Sequence, residues 1–345
     1  MDGGGGVGPH DPALLVLGAC LLDRLVGDPR WCLHPVQVMG WAIERLRRLA
    51  ESWAEDRPWA LRLSGVLLAG VVVLGSGAAG WVLERWAEQR PPLLGSLVLV
   101  VALASALAGR SLEQAVREVL AALPQLPEAR QRLAWIVGRE VEGLPEAEIL
   151  RAAAETTAEH GVDGLFAPLF WMMVGTWLQM FWPGAPGPLA LAWAFKASST
   201  LDSMLGYRRG RLRWLGTAGA RLDDVLTWLP TRLVALTLPW VTGQPWRFWG
   251  RFREALRDGA PDPSPNAGVS QAAYAHAARV RLGGANRYPE GWRHKPILGS
   301  GFASPDRGAV ERLLALTLRL EGLWLAMFWP IGLGLTRLFR WILPA

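Results

Sequence analysis

The sequence predicts an all-α, polytopic helical membrane protein with hairpin or re-entrant segments and cytoplasmic helical loops, and three observations predict it. Hydrophobic residues make up 51% of the 345 and the mean hydropathy is +0.19, which is too apolar for an ordinary soluble domain. Two uncharged segments, Leu63 to Leu83 (21 residues) and Pro91 to Gly109 (19 residues), are long enough to cross about 30 Å of hydrocarbon as helices. The basic residues collect in the segments between the apolar stretches.

The opening MDGGGGVGPH has no basic n-region, so residues 1–12 read as a flexible tail rather than a signal peptide, and residues 13–345 as one membrane-embedded domain. Shorter or charge-punctuated apolar segments lie at Pro12 to Gly27, Leu233 to Trp246 and Leu313 to Leu343. Gly164 to Phe195 is uncharged over 32 residues, but PGAPGP (Pro183 to Pro188) interrupts it. Prolines and glycines there break a helix, so the stretch reads as a helical hairpin. The total is four to six crossings.

Lys and Arg are retained on the cytoplasmic side of a membrane. Residues 24–62 hold seven of them, 110–163 six, 196–232 seven and 247–312 eleven, whereas 84–90 hold two. Placing 84–90 outside puts the four rich segments in the cytoplasm, provided that 164–195 and 233–246 each leave and return to the same side. The expected location is the inner (cell) membrane, multi-pass, with the polar chemistry facing inward. The net charge of +6 and pI near 10.1 follow from this topology, because the arginines flank apolar segments instead of forming one basic stripe; no nucleic-acid partner is implied. Twenty tryptophans suit the membrane interface. Cys20 and Cys32 form no CxxC or zinc-type cluster, so neither a disulfide framework nor a metal knuckle is expected.

The polar segments carry five constellations. In RLVGDPRWCLHPV, the pairs Asp28-Pro29 and His34-Pro35 fix Asp28 and His34 in an extended or turned loop, either a stiff connector or a ligand-facing one. In EILRAAAETTAEHGVDG, Glu155, Glu159 and Asp163 repeat every four residues on one helix face. Three such acids repel one another unless a cation relieves them or the face is solvated beside Arg151. KASSTLDSMLGYRRGRLRW brings Lys196, Asp202 and Arg208 together at the exit of the hairpin, and arginine binds phosphate bidentately where lysine acts as a point charge. In GARLDDVLTWLP, Asp223 and Asp224 point about 100° apart on a helix. One can bind Mg²⁺, which takes one or two protein carboxylates and keeps waters or phosphate oxygens, while the other pairs with Arg221; a plain Arg–Asp pair is the alternative. DPSPNAGVSQAAYAHAARVRLGGANRY places the stiffened loop Ser264-Pro265-Asn266-Ala267-Gly268 before a helix from Val269 to Val280, whose dipole favours anions. Gly283-Gly284 is expected to end that helix.

The order of these motifs, GDPRWCLHPV, ETTAEHGVDGLFAPLFW, KASSTLDSMLGYR, GARLDDVLTWLPTRL, SPNAGV and RLGGANRY, from about Asp23 to Gly301, closely resembles the adenosylcobinamide-phosphate synthase family, the integral-membrane amide ligases of cobalamin biosynthesis. The resemblance implies that 13–345 is a catalytic domain in which the free propionate of adenosylcobyric acid is joined to aminopropanol phosphate, or a related amino-alcohol phosphate, with ATP and Mg²⁺. The implied partners are the corrinoid substrate, the amino-alcohol phosphate and the lipid bilayer. The implied catalytic set is Glu155, Glu159, Asp163, Asp202, Arg221, Asp223 and Asp224. Metal falls to Asp202, Asp223 and Asp224, and substrate binding to Asp28, His34, Lys196, Arg208, Ser264 and Asn266.

The family pattern carries Asn where His160, Ser199 and Thr227 stand here, and His where Asp262 stands. No GxxxxGK[ST] motif is present, so a nucleotide site is unconventional. A phosphoalcohol transferase of the CDP-alcohol type would need DxxDGxxAR, and after Asp163-Gly164 the chain runs to Ala167-Pro168 without the arginine. The remaining alternative is a non-catalytic membrane sensor or transporter on the same scaffold.

Overall fold

The computed structural model describes residues 11–28, 34–288 and 291–342. In chain order the helices are α1 (Pro12–Val26), α2 (Pro35–Ala54), α3 (Pro58–Glu88), α4 (Pro92–Ala104), α5 (Gly109–Ala122), α6 (Leu126–Ala134), α7 (Glu146–Gly161), α8 (Ala167–Phe181), α9 (Pro188–Leu205), α10 (Leu212–Leu215), α11 (Thr217–Val241), α12 (Phe248–Gly259) and α13 (Ala267–Ala278). An antiparallel hairpin of β1 (Leu282–Tyr288) and β2 (Gly291–Leu298) follows, then α14 (Arg307–Ile342). Proline opens α1, α2, α3, α4 and α9, at the position where a missing N–H costs nothing and φ is already helical. Asp11 caps α1 by accepting from Ala13 N at 2.9 Å, so the helix begins one residue inside the expected tail, the rest of which lies outside the described residues.

Contacts divide the chain into two compact units interleaved in sequence: Met1–Ala108, Pro168–Val225 and Leu325–Ala345 form the first, Gly109–Ala167 and Leu226–Trp324 the second. In the first, α3 packs on α2, α9 and α10, and α1 on α4. Its core joins Met39 and Ile43 of α2 to Leu68, Ala69 and Val72 of α3 and Ala197, Leu201 and Leu205 of α9. Leu63, Val66, Leu67, Val71 and Leu74 on α3 remain exposed. A contiguous aliphatic face of this kind suits lipid rather than water. Glu84, near the end of α3 and 3% exposed, accepts from the backbone N–H groups of Gly187 (2.9 Å), Leu189 (2.7 Å) and Ala190 (3.4 Å). The carboxylate thereby caps the orphan donors at the start of α9 and complements its dipole.

The expected hairpin forms: α8 ends at Phe181 and α9 starts at Pro188, with the Pro/Gly run as the turn. Trp81 Nε1 donates to Gly184 O at 3.0 Å, holding that turn against α3. In the second unit α7 packs against α5, α6, α13 and β1, while α12 lies along α13.

Several expectations are corrected. Among the described residues two continuous helical stretches, Pro58–Glu88 and Glu146–Phe181, are long and apolar enough to cross a membrane, or three if α4 and α5, bent by 42°, count as one span, rather than four to six. The reason is length and charge: α1 has 15 residues and α4 has 13, rising only about 20 Å at 1.5 Å per residue, and α9 carries Lys196 and Asp202. The segment 233–246 does not turn back on itself, because α11 runs unbroken to Val241 with Pro230 and Pro239 inside it. α13 is ended by Arg279 in the left-handed conformation (φ 59°) and not by Gly283-Gly284. Those glycines sit in β1, where a bulge falls between Leu282 and Gly284. The fold is otherwise all-α and polytopic, as expected.

Candidate active site

The first unit gathers Lys196, Asp202, Arg208, Asp223 and Asp224. α11 can approach α9 because Gly219 faces it: a Cβ there would stand 3.1 Å from Leu201 Cβ and 4.0 Å from Asp202 N. Four residues on, the same helix face presents Asp223, which is thus carried toward Asp202. Asp223 Oδ1 is buried and has no hydrogen-bond partner among the described residues. Burial, then the like charges of Asp202 and Asp224, push its carboxyl up to about 7, with Lys196 opposing. Asp224 is also raised by burial, and Arg208 opposes that rise. Arg208 is exposed just beyond the end of α9.

The RLDD motif therefore does not form the local pair expected of it. Arg221 is exposed and makes no ion pair among the described residues, while the opposing charge of Asp224 comes from Arg208. Arg221 stands two residues, about 200° round the helix, from the Gly219 that faces α9, and it is exposed.

An orphaned buried carboxylate oxygen repelled by a second carboxylate is a natural cation position. Among the described residues no three His, Cys, Asp or Glu side chains are placed to hold a metal together. The residues thus fit a hydrated Mg²⁺ held by one or two carboxylates, Asp223 and Asp202, rather than a cage that includes Asp224 as a third ligand.

The second unit is organised around Glu155, 1% exposed. Its carboxylate meets Arg139 and Arg151, the latter at 2.7 Å, and also accepts from Gly283 N at 2.8 Å. Arg151 in turn pairs with Glu148 and donates to Gly283 O at 2.9 Å and to Asn286 Oδ1 at 2.9 Å. The acidic face of α7 is thus neither solvated nor awaiting a metal at this position; arginines of the protein relieve it. Gly283 has φ +81° and lies against Pro296 O, a conformation and an approach that only glycine tolerates.

Glu159 accepts from Gln271 Nε2 at 2.7 Å, and Asp163 falls in a π-helical turn, Val162–Phe166, between α7 and α8. Asp262 accepts from Ser264 N at 2.9 Å and lies 3.5 Å from Lys295 Nζ. Burial lowers the Lys295 pKa, but Glu159 and Asp262 outweigh it, so the ammonium is held above its usual value. Lys196 and Lys295 are the chain's two lysines, one in each cluster.

The SPNAG loop is occupied with its own fold. Ser264 Oγ accepts from Ala267 N at 3.1 Å, capping α13, and Asn266 Oδ1 accepts from Arg232 at 2.6 Å. Arg232 also donates to Pro265 O at 2.9 Å and lies over the Trp228 ring. Burial lowers its pKa. His34 likewise caps its helix: Nδ1 accepts from Val36 N at 3.3 Å, and Nε2 is 3.2 Å from Asp28 Oδ1. Residues 29–33 between them lie outside the described residues.

Sequence reasoning passed over Arg139, Arg232, Asn286 and Lys295. The signal for Asn286 and Lys295 lay in the polar run after Gly284, where a strand with a buried Asn and a near-buried Lys would need charged partners; for Arg139 and Arg232 nothing local marks them among 36 basic residues.

A helical membrane protein with an aliphatic outer face, a carboxylate–cation cluster beside a helical hairpin and a buried arginine–carboxylate network is the class that fold and site define. A family model described as CobD/Cbib protein matches residues 16–317. The chain belongs to the CobD/CbiB family. It is 40% identical over 330 residues to the cobalamin biosynthesis protein CobD of Synechocystis sp., covering 94% of this chain and 91% of that one. It is 41% identical over 300 residues to the cobalamin biosynthesis protein CobD of Geobacter metallireducens, with 86% and 89% covered. With the cobalamin biosynthesis protein CbiB of Salmonella choleraesuis it shares 36% over 331 residues, 94% of this chain and 100% of the other. No solved structure matches.

Proposed function

We propose that the protein acts in cobalamin biosynthesis as an ATP-dependent amide ligase, joining the free propionate of adenosylcobyric acid to aminopropanol phosphate or a related amino-alcohol phosphate, with its active site on the cytoplasmic side of the cell membrane. Family membership supports the pathway. The observation that carries the chemistry is the unpartnered, buried Oδ1 of Asp223 beside Asp202, Asp224 and Lys196.

Asp223 and Asp202 would hold Mg²⁺, which when bound neutralises charge at a transferring phosphoryl group. Lys196 stands next to this pair and supplies a point charge for a phosphate oxygen, and Arg208, exposed at the end of α9, can clamp a phosphate by two N–H groups. No proton-transfer role falls to Glu155, whose oxygens are taken by two arginines and a backbone N–H. A carboxylate resists attack by an amine, because its leaving group is oxide and its charge repels the nucleophile. Attack of one carboxylate oxygen on the γ-phosphorus of ATP, with ADP leaving, gives an acyl phosphate; the amine then attacks the acyl carbon and phosphate leaves with that oxygen.

The transporter alternative gains nothing from the long span α3: its buried charge, Glu84, is consumed in capping α9. The test is oxygen transfer. Adenosylcobyric acid carrying ¹⁸O in its free carboxylate is expected to give one labelled oxygen in inorganic phosphate per amide formed, together with ADP. Label in AMP indicates an acyl adenylate, and product formed without ATP refutes the ligase reading.

A further inference from the structure

In the second unit the end of α11 and the length of α12 carry an aromatic surface. Trp240 at the end of α11, Trp246 in the turn before α12 and Trp249 in its first turn are all exposed, Trp246 by 76%. The rings adjoin one another: the centroid of Trp240 lies 6.1 Å from that of Phe248, Phe248 6.4 Å from Trp249, and Trp249 5.5 Å from Phe252. α12 is two-sided. Ala255 and Gly259 are buried, and Gly259 approaches α13 so closely that a Cβ would stand 2.5 Å from Gly268 C. The acids of α12 are engaged, Glu254 by Arg251 at 2.8 Å and Asp258 by His276 at 2.9 Å. Along the exposed side Trp249, Arg253 and Arg257 recur every four residues, with Gly250 beside them, the spacing of one helix face. Arg253 lies over the Trp249 ring, 5.2 Å from its centroid, and neither Arg253 nor Arg247 makes an ion pair among the described residues. Whereas α3 turns leucine and valine outward, residues 240–260 expose no large aliphatic side chain. Indole and guanidinium together belong at headgroup level, where the ring meets the acyl boundary and the cation meets phosphate. A symmetric contact with a second copy would face the patch with its own unpaired arginines, which like charges oppose.

We propose that α12 is an interfacial helix: Trp240, Trp246 and Trp249 rest in the headgroup layer of the bilayer that carries the protein, and Arg247 and Arg253 bind the phosphate of anionic phospholipid there. A zwitterionic headgroup offers the same phosphate but cancels its charge with an ammonium, so the arginines favour a lipid of net negative charge.

The test uses the full chain in lipid nanodiscs, lacking Cys20 and Cys32 and carrying Gly250→Cys labelled with the fluorophore nitrobenzoxadiazole; Gly250 has open space where a side chain would stand. The discs mix phosphatidylglycerol and phosphatidylcholine, and one or the other bears a nitroxide quencher at the top of an acyl chain. Labelled phosphatidylglycerol is expected to quench about fivefold more strongly than labelled phosphatidylcholine, the gain from one arginine near an anionic surface, or by more where both arginines engage. Arg247→Gln with Arg253→Gln should bring the two lipids to equality, and Trp246→Ala with Trp249→Ala should weaken quenching by both. Equal quenching by the two lipids without these changes overturns the proposal. So does quenching by aqueous iodide and by neither lipid, which places the face in water, and so does protection from all three quenchers with a doubled mass in native mass spectrometry, which assigns it to a second copy. If a double variant does not insert, the comparison of the two lipids on the otherwise unaltered chain decides alone. No turnover is involved, so this inference and the ligase reading fall separately.

Discussion

Replacing Asp223 by Asn removes a charge that the fold holds at a cost, and the cost can be read as a function of pH. The native carboxyl is raised from 3.8 to about 7, a rise of about three pH units, or about 4 kcal/mol at 1.36 kcal/mol each. Between about pH 4 and 7 the folded chain keeps a proton that the unfolded chain has released. Stability therefore falls as pH rises through that window, and the full cost is present above about 7. The amide does not ionise, so Asp223→Asn is expected to match wild type near pH 4 and to be more stable at pH 8 by up to about 4 kcal/mol, roughly 5 °C or more in Tm. Mg²⁺ should distinguish the two proteins. It competes with the proton for the wild-type site, stabilising at pH 8 and fading as pH falls through about 7, and it should leave Asp223→Asn unchanged. The assay is thermal unfolding in detergent, followed by tryptophan fluorescence from pH 5 to 8.5 with and without Mg²⁺. A variant with the wild-type pH slope, or one stabilised by Mg²⁺ as much as wild type, refutes both the buried-charge argument and the metal assignment.

Glu155→Gln leaves Arg139 and Arg151 without their shared buried counter-charge and should cost about 3–5 kcal/mol, seen as a lower unfolding midpoint and faster proteolysis of the purified protein; wild-type stability would deny the network a structural role. Gly219→Leu forces side-chain atoms into the 3.1 Å gap to Leu201 and is expected to cost roughly 1–3 kcal/mol while flattening the pH slope that depends on Asp202 standing near Asp223. An unaltered slope would show that the helix approach does not set the charge coupling. For topology, Ser203→Cys and Gln89→Cys, each in a chain lacking Cys20 and Cys32, should respectively resist and react with an impermeant thiol reagent added outside intact cells. The opposite pattern overturns the cytoplasmic placement.

What could be read from the residues alone was local or collective. The long apolar run of α3, the Pro/Gly turn between α8 and α9 and the helical acids of α7 each depend on neighbours in sequence, and the ordered motifs carried the family. That Asp202, Asp223, Asp224, Lys196 and Arg208 fall within two short neighbouring segments was also legible, and the structure brings these charges together. Partnership was not legible. Arg221 precedes Asp223 and Asp224 by two and three residues, yet Arg208 opposes Asp224 and Asp202 faces Asp223, since the packing of α11 on α9 at Gly219 chooses which face turns inward. Glu155 read as a reactive acid, but Arg139 and a strand glycine more than a hundred residues away claim its oxygens. The β-hairpin escaped notice because its glycines serve a bulge that opposes β2, not a helix end. Periodicity reports how a segment divides its own polar and apolar faces; which charge meets which, and which donor is left unpaired, depends on elements brought together across long loops, and only the tertiary structure decides that.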